Sequence, residues 1–143
     1  MSNMYIILLI SILTFVESKI YDSCELAKEL VHKHDFSKQD VANWICLVKH
    51  ESEFNTTAKG GPNGYDNSYD HGLFQINDHY WCAPPEEINE CNMRCDDLRN
   101  DDITDDVKCV RKIFDIHGFS AWTAWKNHCN GKDLSSYMKD CQI

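Results

Sequence analysis

Eight cysteines in a chain of 143 residues constrain the fold more than any other feature of the sequence. They are Cys24, Cys46, Cys82, Cys91, Cys95, Cys109, Cys129 and Cys141. An even number at this density is typical of a disulfide framework formed in an oxidising compartment. Eight cysteines allow about 105 complete pairings, so their positions alone do not choose one. A zinc site is disfavoured, because Cys91 and Cys95 are too far apart for C-x-x-C and no second pair has finger spacing.

The amino-terminal segment agrees with secretion. Residues 4–16 read MYIILLISILTFV, an uncharged apolar run that is short for a membrane span and suits a signal peptide. We predict a signal peptide over residues 1–18, cleaved after Ser18, and one domain over residues 19–143. The alternative is an uncleaved anchor. No second apolar stretch is long enough to span a membrane, so no membrane partner is expected.

The net charge of −9 restricts the partners. An acidic chain repels phosphate backbones, which excludes nucleic acid, and it lacks the positive charge of an antimicrobial that acts on membranes. The 7 histidines would cancel most of that charge if protonated below about pH 6. This motivates the hypothesis of an acidic working fluid, such as a gut lumen or saliva. The alternative is simply an acidic, soluble surface.

The order of predicted elements indicates an α+β domain with a mostly helical lobe. Asp22 or Ser23 can cap a helix over residues 24–34, and Asp40 can cap a second one that ends near residue 52. Residues 55–67 are rich in turn formers, and residues 73–76 suit a short strand. Helical periodicity returns over residues 102–118 and again near Trp122.

Glu51 continues an apolar stripe of the second helix. It follows Trp44, Leu47 and Val48 at spacings that share one helical face. Apolar surroundings disfavour the charged carboxylate, so the pKa of Glu51 should rise. A carboxyl still protonated near neutral pH can donate a proton to a glycosidic oxygen. The alternative is a solvated Glu51 beyond the end of the stripe.

Asp70 is the second acidic residue of interest. It follows the turn-rich stretch and precedes His71-Gly72, a polar setting in which a carboxylate stays ionised. Opposite a protonated Glu51, it could stabilise an oxocarbenium ion or attack it. The alternative is an ordinary aspartate in a turn.

Five motifs resemble those of the c-type lysozymes, and they look most similar to the insect members. These motifs are CELAKEL at Cys24, NWICLVKHESEFNT around Glu51, YDHGLFQINDHYWC around Asp70, DDITDDVKC before Cys109, and AWTAWKNHC ending at Cys129. The resemblance runs from Lys19 to Cys141. It implies a helical lobe and a small antiparallel sheet lobe with the active-site cleft between them. It also implies four disulfides, namely Cys24–Cys141, Cys46–Cys129, Cys82–Cys95 and Cys91–Cys109.

The resemblance also implies an activity. It predicts a secreted muramidase, a retaining glycoside hydrolase that cuts β-1,4 bonds between N-acetylmuramic acid and N-acetylglucosamine in peptidoglycan. Glu51 falls on the family's general acid/base and Asp70 on its nucleophile or stabiliser, the carboxylate pair for which lysozyme is the standard example. We expect a monomer that needs no cofactor and serves antibacterial defence or the digestion of bacteria.

Further cleft residues follow from the same matching. Trp122 should pack near Glu51, Trp81 and Tyr80 should line the sugar cleft, and Asn77 and Gln75 should offer polar contacts near Asp70. Aromatic faces suit sugar rings, whose axial C–H surface is apolar.

The chain also departs from the family pattern. The loop over residues 59–69 is longer than usual, so Asn67 or Ser68 is expected to be the second polar partner of Asp70. His71 stands where tyrosine is common, and a protonated His71 would lower the pKa of Asp70.

An acidic run before Cys109 resembles the calcium loop of α-lactalbumins and calcium-binding lysozymes. The predicted ligands of this structural calcium are the carboxylates of Asp105 and Asp106, the Asn100 side chain, and the backbone carbonyls of Asp97 and Asp102. Asn100 stands where a third carboxylate is usual, which weakens the site. The alternative is an acidic helix start, favoured by the helix dipole.

The main rival function is a non-catalytic, α-lactalbumin-like protein that binds calcium or sugar, although such relatives often lack one of the two carboxylates present here.

Asn55-Thr56-Thr57 is a glycosylation sequon, compatible with secretion.

Overall fold

The computed structural model describes residues 18–85, 87 and 89–143. The predicted signal peptide therefore lies, except for Ser18, outside the described residues. The helices are α1 (Ser23–His32), α2 (Val41–Ser52), α3 (Thr104–His117) and α4 (Thr123–His128), and the strands are β1 (Lys59–Gly60), β2 (Asp70–His71) and β3 (Ile76–Asn77). Short 3₁₀ turns cover Cys95–Arg99, Gly118–Ala121 and Ser135–Met138. The predicted α+β architecture is confirmed, with a mostly helical lobe and one small sheet.

The helix ends follow local rules in most cases. Asp22 caps α1, because its side chain accepts from the backbone N–H groups of Cys24 and Glu25. Asp40 precedes α2 as expected, but its side chain makes no capping hydrogen bond. Gly118 ends α3 with φ +63° and ψ −164°, a conformation that glycine adopts without strain and other residues rarely do.

The core is built around one aromatic side chain, Trp44 of α2. Its ring lies edge-on to Phe74 and Trp122, with ring centroids 6.0 and 5.5 Å apart. Phe119 and Phe114 pack on the same ring at 4.7 and 5.2 Å. The core thus joins α2 to α3, to the turn before β3 and to the segment that leads into α4.

The three strands form an antiparallel sheet in the order β1-β2-β3. Asp70 pairs with Gly60 on one side and with Asn77 on the other. The expected strand over residues 73–76 is wrong, since Gly72–Gln75 form the turn between β2 and β3 and only Ile76 belongs to a strand. Gln75 has φ +50° in this turn, which an apolar pattern alone does not indicate.

Four disulfides hold the chain together with the pairing implied by the family resemblance. They join Cys24 to Cys141, Cys46 to Cys129, Cys82 to Cys95 and Cys91 to Cys109. The longest links tie α1 to the carboxyl terminus and α2 to the end of α4. Within the described part of the chain, no helix has both the length and the apolar character needed to cross a membrane.

Candidate active site

A cleft of about 360 Å³ lies between the end of α2, the sheet and the start of α4. Its walls are formed by Glu51, Asn63, Asp70, Gln75, Ile76, Asn77, Trp81, Ile113, Ala121, Trp122 and Thr123. Six of the seven predicted catalytic and substrate-binding residues are among them. Tyr80 is the exception.

Glu51 lies in the last turn of α2, on the face that Trp44, Leu47 and Val48 bury in the core. Burial raises the pKa of Glu51 to about 7, and the negative charge of Asp70 acts in the same direction. A backbone hydrogen bond from Ala124 opposes this shift without cancelling it. Glu51 can therefore hold a proton in weakly acidic solution and deliver it into the cleft.

Asp70 lies in β2 and is held by two amides. The Asn77 Nδ2 group donates to Asp70 Oδ1 at 2.9 Å, and the Asn63 Nδ2 group donates to Asp70 Oδ2 at 3.0 Å. Both amides also donate to the buried hydroxyl oxygen of Ser68, at 2.8 and 3.0 Å. Hydrogen bonds to both oxygens fix the orientation of the carboxylate.

The second amide partner of Asp70 is thus Asn63, where the sequence suggested Asn67 or Ser68. Asn67 is exposed with φ +58°, and its backbone N–H donates to the Asn63 carbonyl. Ser68 contributes indirectly by orienting the two amides. The fold of the long loop brings Asn63 back toward Asp70, because the Asn63 N–H donates to the Ser68 carbonyl at 2.8 Å.

The side chain of His71 contacts Asp78 and not the neighbouring Asp70. Its side chain is buried, and its Nε2 lies 3.1 Å from the Asp78 carboxylate. Asp78 also accepts from the backbone N–H of Tyr69 at 2.9 Å. The His71–Asp78 pair therefore stabilises the small sheet. His71 also lies close to Cys82 and Cys95, but these cysteines form a disulfide and so are not free to bind a metal.

The predicted aromatic residues occupy different parts of the site. Trp122 is buried near Glu51, and its Nε1 group donates to the Phe74 carbonyl at 3.0 Å. Trp81 lines the cleft, with its ring only partly buried. Tyr80 is 62% exposed and lies edge-on to His79, at a centroid distance of 4.2 Å. It is available at the surface and not in the inner cleft.

Gln75 stabilises the backbone around the site, and its side-chain hydrogen bonds go to carbonyl groups and not to Asp70. Its Nε2 group donates to the backbone carbonyls of Gly72 at 2.9 Å and Ala58 at 3.3 Å. Gly60 lies close beside it, and a Cβ there would meet the Gln75 amide oxygen at 2.5 Å and displace the end of that side chain. The two predicted polar residues thus differ, since Asn77 holds the carboxylate and Gln75 holds the hairpin.

The predicted calcium loop contains one buried acidic residue, Asp106. Neither of its carboxyl oxygens makes a well-aligned hydrogen bond in the described residues. Backbone N–H groups of Asp106 and Leu73 act to lower its pKa, but burial outweighs them and raises the pKa well above the ordinary value. Such a buried carboxyl fits a cation ligand. Asn100 donates to the Asp97 carbonyl at 2.8 Å, while Asp102 accepts from the N–H of Thr104 at 3.0 Å. Asn100 thus contacts two of the other predicted ligands, since its Oδ1 atom also accepts from the backbone N–H of Asp102 at 2.8 Å.

A two-lobed α+β fold, with a carboxyl of raised pKa beside a hydrogen-bonded carboxylate in its cleft, is typical of a glycoside hydrolase. The model of the C-type lysozyme/alpha-lactalbumin family matches residues 19–141. The chain belongs to this family, and it is a glycoside hydrolase of the lysozyme kind.

Individual relatives agree with this assignment. The chain is similar to lysozyme c-1 of Anopheles gambiae, with 49% identity over 119 residues that cover 82% of each chain. It is also similar to lysozyme C-3 of Sus scrofa, with 38% identity over the whole of both chains. Among solved structures, a calcium-binding lysozyme from equine milk matches with a TM-score of 0.78 and 39% identity. That match covers 87% of this chain and 100% of the equine one.

Proposed function

We propose that this protein is a secreted muramidase that hydrolyses the β-1,4 bonds between N-acetylmuramic acid and N-acetylglucosamine in peptidoglycan. The observation that carries the proposal is the carboxyl pair in the cleft, where Glu51 has a pKa of about 7 and Asp70 is held by two amides. Peptidoglycan is the substrate class that family membership implies.

Glu51 acts first as the general acid. Its proton passes to the glycosidic oxygen as the bond to the anomeric carbon breaks, so that the leaving sugar departs as a neutral alcohol. The raised pKa matters because a carboxyl of ordinary pKa is almost fully ionised at neutral pH and has no proton to give.

Asp70 interacts with the positive charge that develops on the sugar. It stabilises the oxocarbenium-like carbon that develops at the broken bond, or forms a covalent bond to it. The ionised Glu51 then takes a proton from water as that water attacks, which gives retention of configuration. Asn63 and Asn77 hold the Asp70 carboxylate in place throughout.

The test is clearance of a peptidoglycan suspension by the mature protein, from about pH 3 to about 8. We expect clearance to decline above about pH 7 as Glu51 loses its proton. The Glu51→Gln variant should lose at least about a hundredfold in rate, the usual scale of a general acid. Glu53→Gln, an exposed position two residues further on, is the matched control. Undiminished clearance by a folded Glu51→Gln variant would refute the mechanism.

We place the enzyme outside the cell, on the grounds of the apolar leader and the four disulfides. Its role would be antibacterial defence or the digestion of bacteria in a gut lumen or salivary fluid. We propose a monomer as the working unit. Neither role requires a nucleic-acid or membrane partner.

We further propose a structural calcium ion, held by the side chains of Asn100, Asp105 and Asp106 and by the carbonyls of Asp97 and Asp102. The buried carboxyl of Asp106, which makes no well-aligned hydrogen bond in the described residues, supports this site, because a divalent cation would stabilise its ionised form. The ion would contribute rigidity before α3 and no chemistry in the cleft.

The calcium proposal is tested by thermal unfolding with calcium and with a chelator. Calcium should raise the unfolding temperature, and the rise should disappear in Asp106→Asn. Asp115→Asn, an exposed position of α3, should keep the rise. An unchanged unfolding temperature with saturating calcium would exclude the ion. That result would also disfavour the rival reading as a non-catalytic, calcium-binding relative of α-lactalbumin.

A further inference from the structure

Asn55 presents its amide nitrogen to solvent. The Asn55 Oδ1 atom accepts from the backbone N–H of Thr57 at 2.9 Å, from the Thr57 hydroxyl at 2.9 Å and from the Ser18 hydroxyl at 2.8 Å. Because the backbone N–H can only donate, the oxygen must face Thr57 and the nitrogen must face the other way.

The Asn55 nitrogen is also free. Nδ2 donates no hydrogen bond to any described residue, and it is not one of the buried nitrogens without a partner. It therefore keeps some contact with solvent, although Asn55 as a whole is only partly exposed. The contact from the Thr57 hydroxyl does not depend on Ser18, so removal of residues 1–18 leaves it in place.

An exposed apolar residue, Ile20, lies beside Asn55 at the surface. Ile20 pairs with Asn55 in an isolated antiparallel bridge, and its side chain is 67% exposed. Neither residue lines the active-site cleft. A sugar attached to Asn55 can lie beside Ile20 with an apolar C–H face, and it leaves the cleft open.

We propose that Asn55 carries an N-linked glycan, attached at Nδ2 in the secretory pathway. Asn55-Thr56-Thr57 is the only N-x-S/T sequon in the chain. The donor is an oligosaccharide on a lipid diphosphate. A bond forms between Nδ2 and the anomeric carbon of the first N-acetylglucosamine, the bond from that carbon to the diphosphate oxygen breaks, and the amide nitrogen gives up a proton. The lipid diphosphate is the leaving group.

This inference rests on the secretion proposed above but not on muramidase activity. The experiment expresses the full chain in cultured insect cells and measures the intact mass of the protein recovered from the medium. We expect a mass above that of the polypeptide, which falls when a peptide N-glycosidase that tolerates core fucose is added. Peptide mapping should then find aspartate at position 55, because the enzyme converts the glycosylated asparagine.

Three variants make the assignment specific. Asn55→Gln and Thr57→Ala should each appear in the medium at the polypeptide mass, whereas Thr57→Ser, which keeps the hydroxyl, should keep the glycan. Wild-type protein recovered from the medium at the unmodified mass overturns the inference. Absence of protein from the medium counts against secretion instead, and clearance assays on the same material test the muramidase separately.

Discussion

At the scale of single residues, Glu51 owes its chemistry to where α2 ends. The helix terminates at Ser52, and Glu53 and Phe54 take left-handed φ values of 52° and 66°, so the chain turns away at once. Glu51 is left on the apolar face beside the cleft. Its raised pKa is therefore a result of packing, and any change that hydrates this helix end should lower it.

The raised pKa of Glu51 has a consequence for stability. A carboxyl whose pKa rises from 4.5 to about 7 on folding lowers the stability at every pH at which the unfolded chain ionises it. The cost is absent below about pH 4.5, grows as the pH rises toward 7 and is complete above that. We expect Glu51→Gln to be more stable than wild type at pH 8 by on the order of 2 kcal/mol, allowing for the partial exposure of Glu51, and equally stable at pH 4. Urea unfolding at the two pH values measures this, and equal stability at pH 8 would contradict the raised pKa.

Asn63 provides a second test at this scale. Asn63→Ala removes one of the two amide bonds to Asp70 and leaves that oxygen free to move or bind water. We expect the turnover rate to fall about tenfold, which corresponds to about 1.4 kcal/mol, with little change in KM. Asn67→Gly lies in the same loop, is exposed and keeps the positive φ of that position, so it should leave the rate unchanged. Equal turnover rates for Asn63→Ala and wild type would show that Asn63 does not position Asp70 for catalysis.

At the scale of elements, the helices were more predictable than the sheet. Helical periodicity placed α1 and α2 within a few residues, and the Asp22 cap marked the start of α1. The stripe through Trp44 made Glu51 a candidate, and the family resemblance then singled it out. The strands have two residues each, too few for an alternating pattern to appear. Asn63 was missed because its contact with Asp70 depends on loop closure through Ser68, which has no sequence period. The disulfide pairing came from family resemblance alone.

The buried pair behind the sheet should matter for stability and not directly for chemistry. Asp78 joins His71 to the backbone of Tyr69, so Asp78→Ala leaves a buried imidazole and a backbone N–H without their partner. We expect a loss of about 2–4 kcal/mol in the free energy of unfolding. Asp115→Ala, at an exposed position of α3, should stay within about 0.5 kcal/mol of wild type. Urea denaturation distinguishes them, and a similar small effect for both would show that the pair does not brace the sheet.

At the scale of the whole molecule, charge and activity should be linked through pH. The net charge is −9 with neutral histidines, and bacterial cell walls are also anionic, so long-range repulsion opposes the encounter near neutral pH. Six of the seven histidines are at least partly exposed, and only His71 is buried. Charging them in acid reduces the repulsion. His50 resists this charging, because burial lowers its pKa and its stacking partner His128 adds to the effect.

A clearance curve combines two effects of pH, the protonation of Glu51 and the electrostatic repulsion between enzyme and cell wall, and a neutral substrate separates them. The proton of Glu51 governs every substrate, whereas net charge governs only charged ones. From pH 5 to pH 7, we therefore expect clearance of whole cell walls to fall more steeply than hydrolysis of a neutral, soluble N-acetylglucosamine oligomer. Salt screens repulsion over roughly 8 Å at physiological strength, so added salt should restore clearance at pH 7 and leave oligomer hydrolysis unchanged. Parallel pH profiles for the two substrates, insensitive to salt, would mean that the acidic surface has no part in the enzyme's pH preference and that Glu51 alone sets it.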